Sequence, residues 1–308
     1  MATRWGLCSA GKISHDFVVA LKTLPREEHQ LYRQVTFFLF FGFNMATRWG
    51  ICSAGKISHD FVVALKTLPR EEHQVVVVAA RELGRAQDFA NRHNIPRAYG
   101  SYQELAQDKD IDVVYLGTIH PQHHPVGLLF LRAKKNLLCE KPLAMNMREV
   151  LELTAAAREN DVFLMEALWT RYFPASIQIS DVLAQGVLGE VKLVRVEFGM
   201  PMFDVSHAVK KELGGGALLD IGVYCLQVDE AVTVVLRFSS NRMAVCICTV
   251  SVQLPNEAFI FGTKGTIKVK IDGLKQSPRM TLEDTALLTS ICDEARRQVG
   301  VVYCQDAE

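Results

Sequence analysis

Three residues far apart in the chain could together move a proton off a hydroxyl: Lys141, Asp220 and Tyr224. Lys141 stands in C-E-K-P, Cys139 to Pro142, where the proline restricts the lysine's backbone and helps fix the direction of its amine. Asp220 and Tyr224 stand in G-G-G-A-L-L-D-I-G-V-Y-C, Gly214 to Cys225. They are four apart, on one face of a helix start that follows a mobile glycine turn. A phenol with an ordinary pKa of about 10 is a poor base at neutral pH. A neighbouring ammonium favours the phenolate and moves it toward a useful value. The set fits loss of a hydroxyl proton as a hydride leaves. Plainer readings stand beside it: E-K-P is common surface sequence, Tyr224 suits a half-buried core, and Asp220 suits a helix N-cap.

A hydride acceptor needs a cradle, and W-G-I-C-S-A-G-K-I-S places Gly50 and Gly55 between an apolar strand and a helix. A backbone approaching a pyrophosphate has no room for Cβ, and the helix start that follows offers unpaired N–H donors. In a dinucleotide turn the middle glycine of the fingerprint is replaced here by Ser53 or Cys52. The same residues fit G-x-x-x-x-G-K, but a P-loop needs Ser or Thr next for magnesium, and Ile57 follows. A tight turn that binds nothing is the third reading. The next strand, V-V-V-V-A-A-R, ends in Ala80 and Arg81, with Arg85 one helical turn on. A carboxylate there would accept from a ribose 2′-hydroxyl, whereas two guanidinium groups would hold a 2′-phosphate. NADP is therefore expected over NAD, unless the two arginines are only a solvated helix start.

Two further clusters carry side chains with chemistry. His120, His123 and His124 in I-H-P-Q-H-H-P have metal-ligand atoms, but they are crowded by prolines and lack a supporting carboxylate, so no metal is expected. Trp169 and Arg171, with Tyr172 and Phe173, either line a substrate pocket or pack as aromatic core.

These residues must be positioned by the elements between them. Short apolar strands alternate with helices from Arg48 to Ala167: strands at 48–52, 75–78, 111–118, 137–140 and 162–167, helices at 84–93, 126–133 and 147–159. Such βα alternation implies a parallel sheet covered on both faces. After about Leu193 the texture changes to VKLVRVEFG, VTVVLRF, MAVCICTVSVQL and GTIKVKI, which predicts a mostly antiparallel sheet. The fold class is α/β: an N-terminal Rossmann domain over 45–165, then an α+β domain over 166–308. Residues 1–30 recur as 45–74 with one difference, Leu7 against Ile51, and 31–44 join the copies. Only the second copy runs on into a strand–helix–strand unit, so 1–44 reads as a duplicated leader.

Composition excludes several classes. Lys+Arg 34 balance Asp+Glu 34, so net charge gives no basic surface for nucleic acid. The apolar burst Phe37 to Phe43 is far short of the roughly 20 residues that span a bilayer. With no secretory signal and no CxxC pair among eight Cys, a reduced cytoplasmic setting is expected.

The glycine turn, E-K-P, E-A-L-W-T-R-Y-F-P-A (Glu166 to Ala175) and G-G-G-A-L-L-D-I-G-V-Y occur in one order, and together they resemble the glucose-fructose oxidoreductase / inositol dehydrogenase family. The resemblance implies that Gly50, Gly55, Arg81, Arg85, His123, Glu140 and Lys141 bind NADP. It implies that Lys141 is the active-site lysine, Asp220 its acid and Tyr224 the general acid/base. Other members carry His at the Tyr224 position, so tyrosine points to a branch that oxidises trans-dihydrodiols of aromatic hydrocarbons and D-xylose. Dimerisation through the C-terminal sheet follows from the same likeness.

Three departures from the family stand out. Residues 1–44 have no counterpart, the chain passes from C-L-Q straight to V-D-E-A-V-T-V, and it jumps from Ile271-Asp272 to G-L-K-Q-S-P-R-M. The omitted pieces help close the substrate pocket in relatives, and a shortened sheet exposes unpaired edges. Aberrant splicing or an imperfect gene model would account for all three. The alternative to an active dehydrogenase is therefore a catalytically silent form that retains NADP binding.

Overall fold

A computed structural model describes residues 46–172, 174–199, 201–202, 204–220, 231–238, 242–249, 254–255, 257–270, 289–290, 292–294, 296–297 and 302–306. The duplicated leader 1–44 lies outside them, as do Tyr224 and the junctions that follow it.

The first strand, β1 (Thr47–Cys52), pairs in parallel with β2 (His73–Ala79) on one side and β4 (Val113–Leu116) on the other. β3 (Arg97–Tyr99) adds to β2, and β5 (Asn136–Glu140) and β6 (Leu164–Ala167) complete a six-stranded sheet in the order β3-β2-β1-β4-β5-β6. This is the doubly wound order, whose switch point lies between β1 and β4, where ligands bind beyond the strands' carboxyl ends. The strands read as unbroken apolar runs because both faces are covered: Ile51, Cys52, Val77, Val78, Val114 and Leu116 are fully buried. The helix Lys56–Leu65 buries Phe61, Val62, Ala64 and Leu65, and Phe61 stacks on Tyr115 of β4 with ring centroids 3.8 Å apart.

A second, five-stranded sheet has the order β11-β10-β7-β9-β8, with β7 (Val191–Gly199), β8 (Ala231–Phe238), β9 (Arg242–Thr249), β10 (Glu257–Gly262) and β11 (Thr266–Lys270). It is mostly antiparallel, as its alternating sequences predict; the β7–β9 pair is parallel. Cys246 and Cys248 on β9 point inward against Val196 and Phe198 of β7.

Contacts divide the chain into two compact units. One runs up to Thr118 and takes Leu129–Leu138 and Asn160–Phe163; the other takes Ile119–Leu128, Cys139–Glu159 and the chain from Leu164. Among the described residues no helix is long and apolar enough to cross a membrane.

Boundaries differ from the sequence reading in three places. The helix expected from Val126 starts at His123, because Pro125 falls in its first turn, where no intrahelical N–H is needed. β3 and the helix Tyr102–Gln107 were not anticipated. The latter carries a start signal in S-Y-Q-E: the Ser101 hydroxyl accepts from the Glu104 amide at 3.3 Å, and Glu104 returns a carboxylate to it at 2.7 Å.

In the first unit, His93 is buried with its Nε2 2.9 Å from Nδ1 of His59. Its carbonyl accepts from the Lys66 ammonium. Burial, followed by His59, Lys66 and Arg92, lowers the His93 pKa to about 4. Protons therefore bind the unfolded chain more readily, and stability is lost as pH falls from about 6.5 toward 4. The loss is on the order of 3 kcal/mol. Urea unfolding of His93→Gln between pH 7 and pH 4 should show a flatter pH dependence than the wild type; parallel curves would remove this residue from the acid response.

Candidate active site

The turn after β1 is built as a phosphate cradle. Ser53 adopts φ 88°, the left-handed backbone normally left to glycine, and its amide donates to Ala79 at the end of β2. It is one of the two residues, with Cys52, that replace the fingerprint's middle glycine in the sequence reading. Gly55 is the N-cap of the helix Lys56–Leu65 and supplies no side-chain cap, and the first turn holds no acid. The first N–H groups are thus left to an incoming anion. Close packing fixes the far wall: the Gly117 amide donates to Cys52 at 3.0 Å, and a Cβ on Gly117 would meet the Ser58 hydroxyl at 2.7 Å.

β2 ends at Ala79 with buried Ala80 behind it, and Arg81 and Arg85 follow, both exposed. No carboxylate ends the strand. The sequence reading missed Tyr102, which hydrogen-bonds the Ser53 side chain and lies within the fields of Arg81 and Arg85. Burial first, then Cys52, raises its pKa against the pull of those arginines, so it stays a neutral hydroxyl beside the cradle. The S-Y-Q-E box is the signal that would have found it. These residues fit a dinucleotide.

The second unit brings Lys141 and Asp220 together across 79 positions of sequence. The Lys141 ammonium donates to Asp220 Oδ1 at 2.8 Å and to the Asp220 carbonyl at 2.5 Å. Both side chains are buried, exposed by only 13% and 9%. Asp220 ends the short helix Ala217–Asp220. Burial pushes its carboxyl pKa up, but the Lys141 ammonium, first among the opposing influences, pulls the other way, and the carboxyl lies below its ordinary value. Its second oxygen, Oδ2, is buried and has no hydrogen-bond partner among the described residues.

Two histidines brace the loops that carry this pair. His123 is fully buried and its Nδ1 donates to the Pro142 carbonyl at 2.7 Å. His120 Nδ1 donates to the Gly214 carbonyl at 3.1 Å, and the two rings lie edge to face at 5.8 Å. Burial and then Lys141 lower the His120 pKa to about 3, so the ring is neutral with Nε2 left as an acceptor. The Lys141-Pro142 peptide is cis. Glu166 of β6 is buried and accepts from the Leu143 amide at 2.9 Å, a support for the same loop that E-A-L-W-T-R-Y did not reveal as such.

Of the other sequence candidates, Glu140 is buried and accepts from the Lys141 amide at 3.2 Å. Trp169 is half-buried on the one-turn helix Trp169–Tyr172. The Arg171 side chain and all of Tyr224 lie outside the described residues. His124 binds Glu152 at 2.7 Å. Among the described residues, no three His, Cys, Asp or Glu side chains are placed to hold a metal ion.

A chain that has both a dinucleotide cradle on a doubly wound sheet and a buried lysine–aspartate pair falls in the class of nucleotide-dependent oxidoreductases. The chain belongs to the GFO/IDH/MocA family: residues 47–168 match its oxidoreductase model with an NAD-binding Rossmann fold, and residues 177–228 match its C-terminal domain. Among similar proteins are the trans-1,2-dihydrobenzene-1,2-diol dehydrogenase of Danio rerio, 54% identical with all of both chains covered, and that of Homo sapiens, 41% identical with 99% of each covered. The fold is shared with KijD10, a 3-ketoreductase from Actinomadura kijaniata solved with NADP and TDP-benzene. Its TM-score is 0.71 at 23% identity, covering 82% of this chain and 97% of that one.

Removing one member of a buried ion pair strands the other charge, at a cost of about 3–5 kcal/mol. Lys141→Met and Asp220→Leu should each lower the unfolding free energy extrapolated from urea titration by that amount, and the double variant should recover most of it. Additive losses would show that the two charges do not depend on each other.

Proposed function

We propose that this chain is an NADP-dependent dehydrogenase that oxidises trans-dihydrodiols of aromatic hydrocarbons, and D-xylose, by hydride transfer to nicotinamide. The observation that carries the reading is the buried Lys141–Asp220 pair, whose second carboxylate oxygen has no partner among the described residues and so can accept from a substrate hydroxyl. The substrate class is taken from the dihydrodiol dehydrogenases that the chain resembles.

Gly55 and the uncapped helix start would receive the pyrophosphate, and Arg81 and Arg85, with Tyr102 beside them, the 2′-phosphate; Gly50 lies inside β1, where a Cβ would meet Ile111 and Leu105, so it serves packing beneath the turn and not the phosphate. His123, Glu140 and Lys141 would also serve the cofactor. When bound, the nicotinamide supplies the hydride acceptor. The Lys141 ammonium orients the substrate hydroxyl and lowers the pKa of Tyr224, which takes the hydroxyl proton. Asp220 keeps Lys141 charged and in place, and Trp169 and Arg171 would line the pocket. Homodimerisation and a cytoplasmic location belong to the same proposal.

Purified protein should form NADPH from a trans-dihydrodiol and NADP. Lys141→Met should abolish turnover while NADPH still binds with enhanced fluorescence; unchanged turnover would overturn the lysine's role. Arg81→Ala should weaken NADP about ten- to a hundredfold, the worth of a charge-assisted bond, and leave NAD nearly unaffected. Equal losses for the two cofactors would overturn the choice of NADP.

A second reading is a form that binds NADP without turning over. NADPH fluorescence without activity on either substrate would favour it.

A further inference from the structure

The Lys141–Asp220 pair depends on two loops that are far apart in sequence, and one side chain from a third segment sits between them. Tyr303 is 3% exposed and packs with Met145, four residues past Lys141, and Leu219, next to Asp220. Its hydroxyl donates to the Gly215 carbonyl at 3.1 Å. Gly215 is closely packed, since a Cβ there would meet backbone atoms of Val209 and Lys210 at 2.8 Å. One phenol thus holds both loops.

Tyr303 is itself fixed by charge. Arg296, also 3% exposed, places its guanidinium 5.2 Å from the Tyr303 ring and pairs with Asp306 at 2.7 Å and with Asp293. Asp306 accepts from the Tyr303 amide at 2.8 Å and from the Asn146 side chain at 3.1 Å. Asp293 accepts from the Met147 amide at 2.7 Å, and Arg148 donates to the Gln305 carbonyl at 3.0 Å. The carboxylates therefore clasp the backbone and side chains at 146–148, just past the loop that bears Lys141.

We propose that Tyr303 is a positioning residue, and that Asp293, Arg296 and Asp306 around it form a clasp that sets the Lys141–Asp220 distance. This rests on the dehydrogenase reading for its effect on rate, though its structural half does not. A buried side chain with a carbonyl partner and two loop contacts restrains motion that would otherwise misplace reacting groups, and misplacement by about 1 Å costs up to a hundredfold in rate.

The experiment uses the full chain with Tyr303→Phe, which deletes the hydroxyl alone, and Arg148→Ala, a milder loosening from outside. The readouts are kcat, the KM for NADP, thermal midpoint, and amide exchange over 214–220. Tyr303→Phe should lower kcat about tenfold with the KM for NADP and the thermal midpoint nearly unchanged, and should speed exchange at 214–220; Arg148→Ala should do the same to a smaller degree. A lowered thermal midpoint with wild-type kcat, or unaltered exchange at 214–220, would overturn the proposal. If the wild type has no turnover, the dehydrogenase reading fails, and the exchange measurement still decides the clasp.

Discussion

The second unit is organised around one electrostatic constraint, a lysine and an aspartate taken out of water together. Neither charge is tolerable there alone, because desolvating an ion costs several kcal/mol unless a partner and hydrogen bonds repay it. Here the repayment is specific: Oδ1 and the Asp220 carbonyl both accept from the ammonium, while Oδ2 has no partner among the described residues. The surrounding groups obey the same field. His120 is kept neutral by burial and by Lys141, and donates to Gly214 instead of competing for Asp220. The loops are braced from several sides by His123, Glu166 and Tyr303, so that the pair meets at 2.8 Å.

The first unit meets a different constraint, that of bringing backbone close to phosphate without a full glycine fingerprint. Ser53 takes the left-handed conformation itself. Its side chain is then engaged by Tyr102, near Arg81 and Arg85. The strain of a serine at positive φ is offset within the cradle that needs it.

Much of this was readable in the chain. Alternating βα units and the change of texture near Leu193 follow from hydrophobic period, and the observed sheets have the expected parallel and mostly antiparallel character. Lys141 and Asp220 were singled out because their types and neighbours suit proton chemistry, and the structure brings them into contact. What sequence withheld is mostly tertiary. Nothing near Glu166, Asn146 or Tyr303 announces a bond to a loop some 20 to 160 positions away. His120 and His123 read as metal-like because spacing does not reveal that their Nδ1 atoms serve backbone carbonyls. Tyr102 escaped because its short helix has too few residues to show a period, although its capping box was present.

The account stands or falls on Asp220 being ionised in its buried setting. Carboxyl carbon NMR of the intact protein, with the resonance assigned by its loss in Asp220→Asn, would follow this side chain through acid. The account predicts that Asp220 titrates below the ordinary carboxylate range. A midpoint at or above that range would mean that burial prevails over Lys141, and that the pair at the centre of the site is not an ion pair.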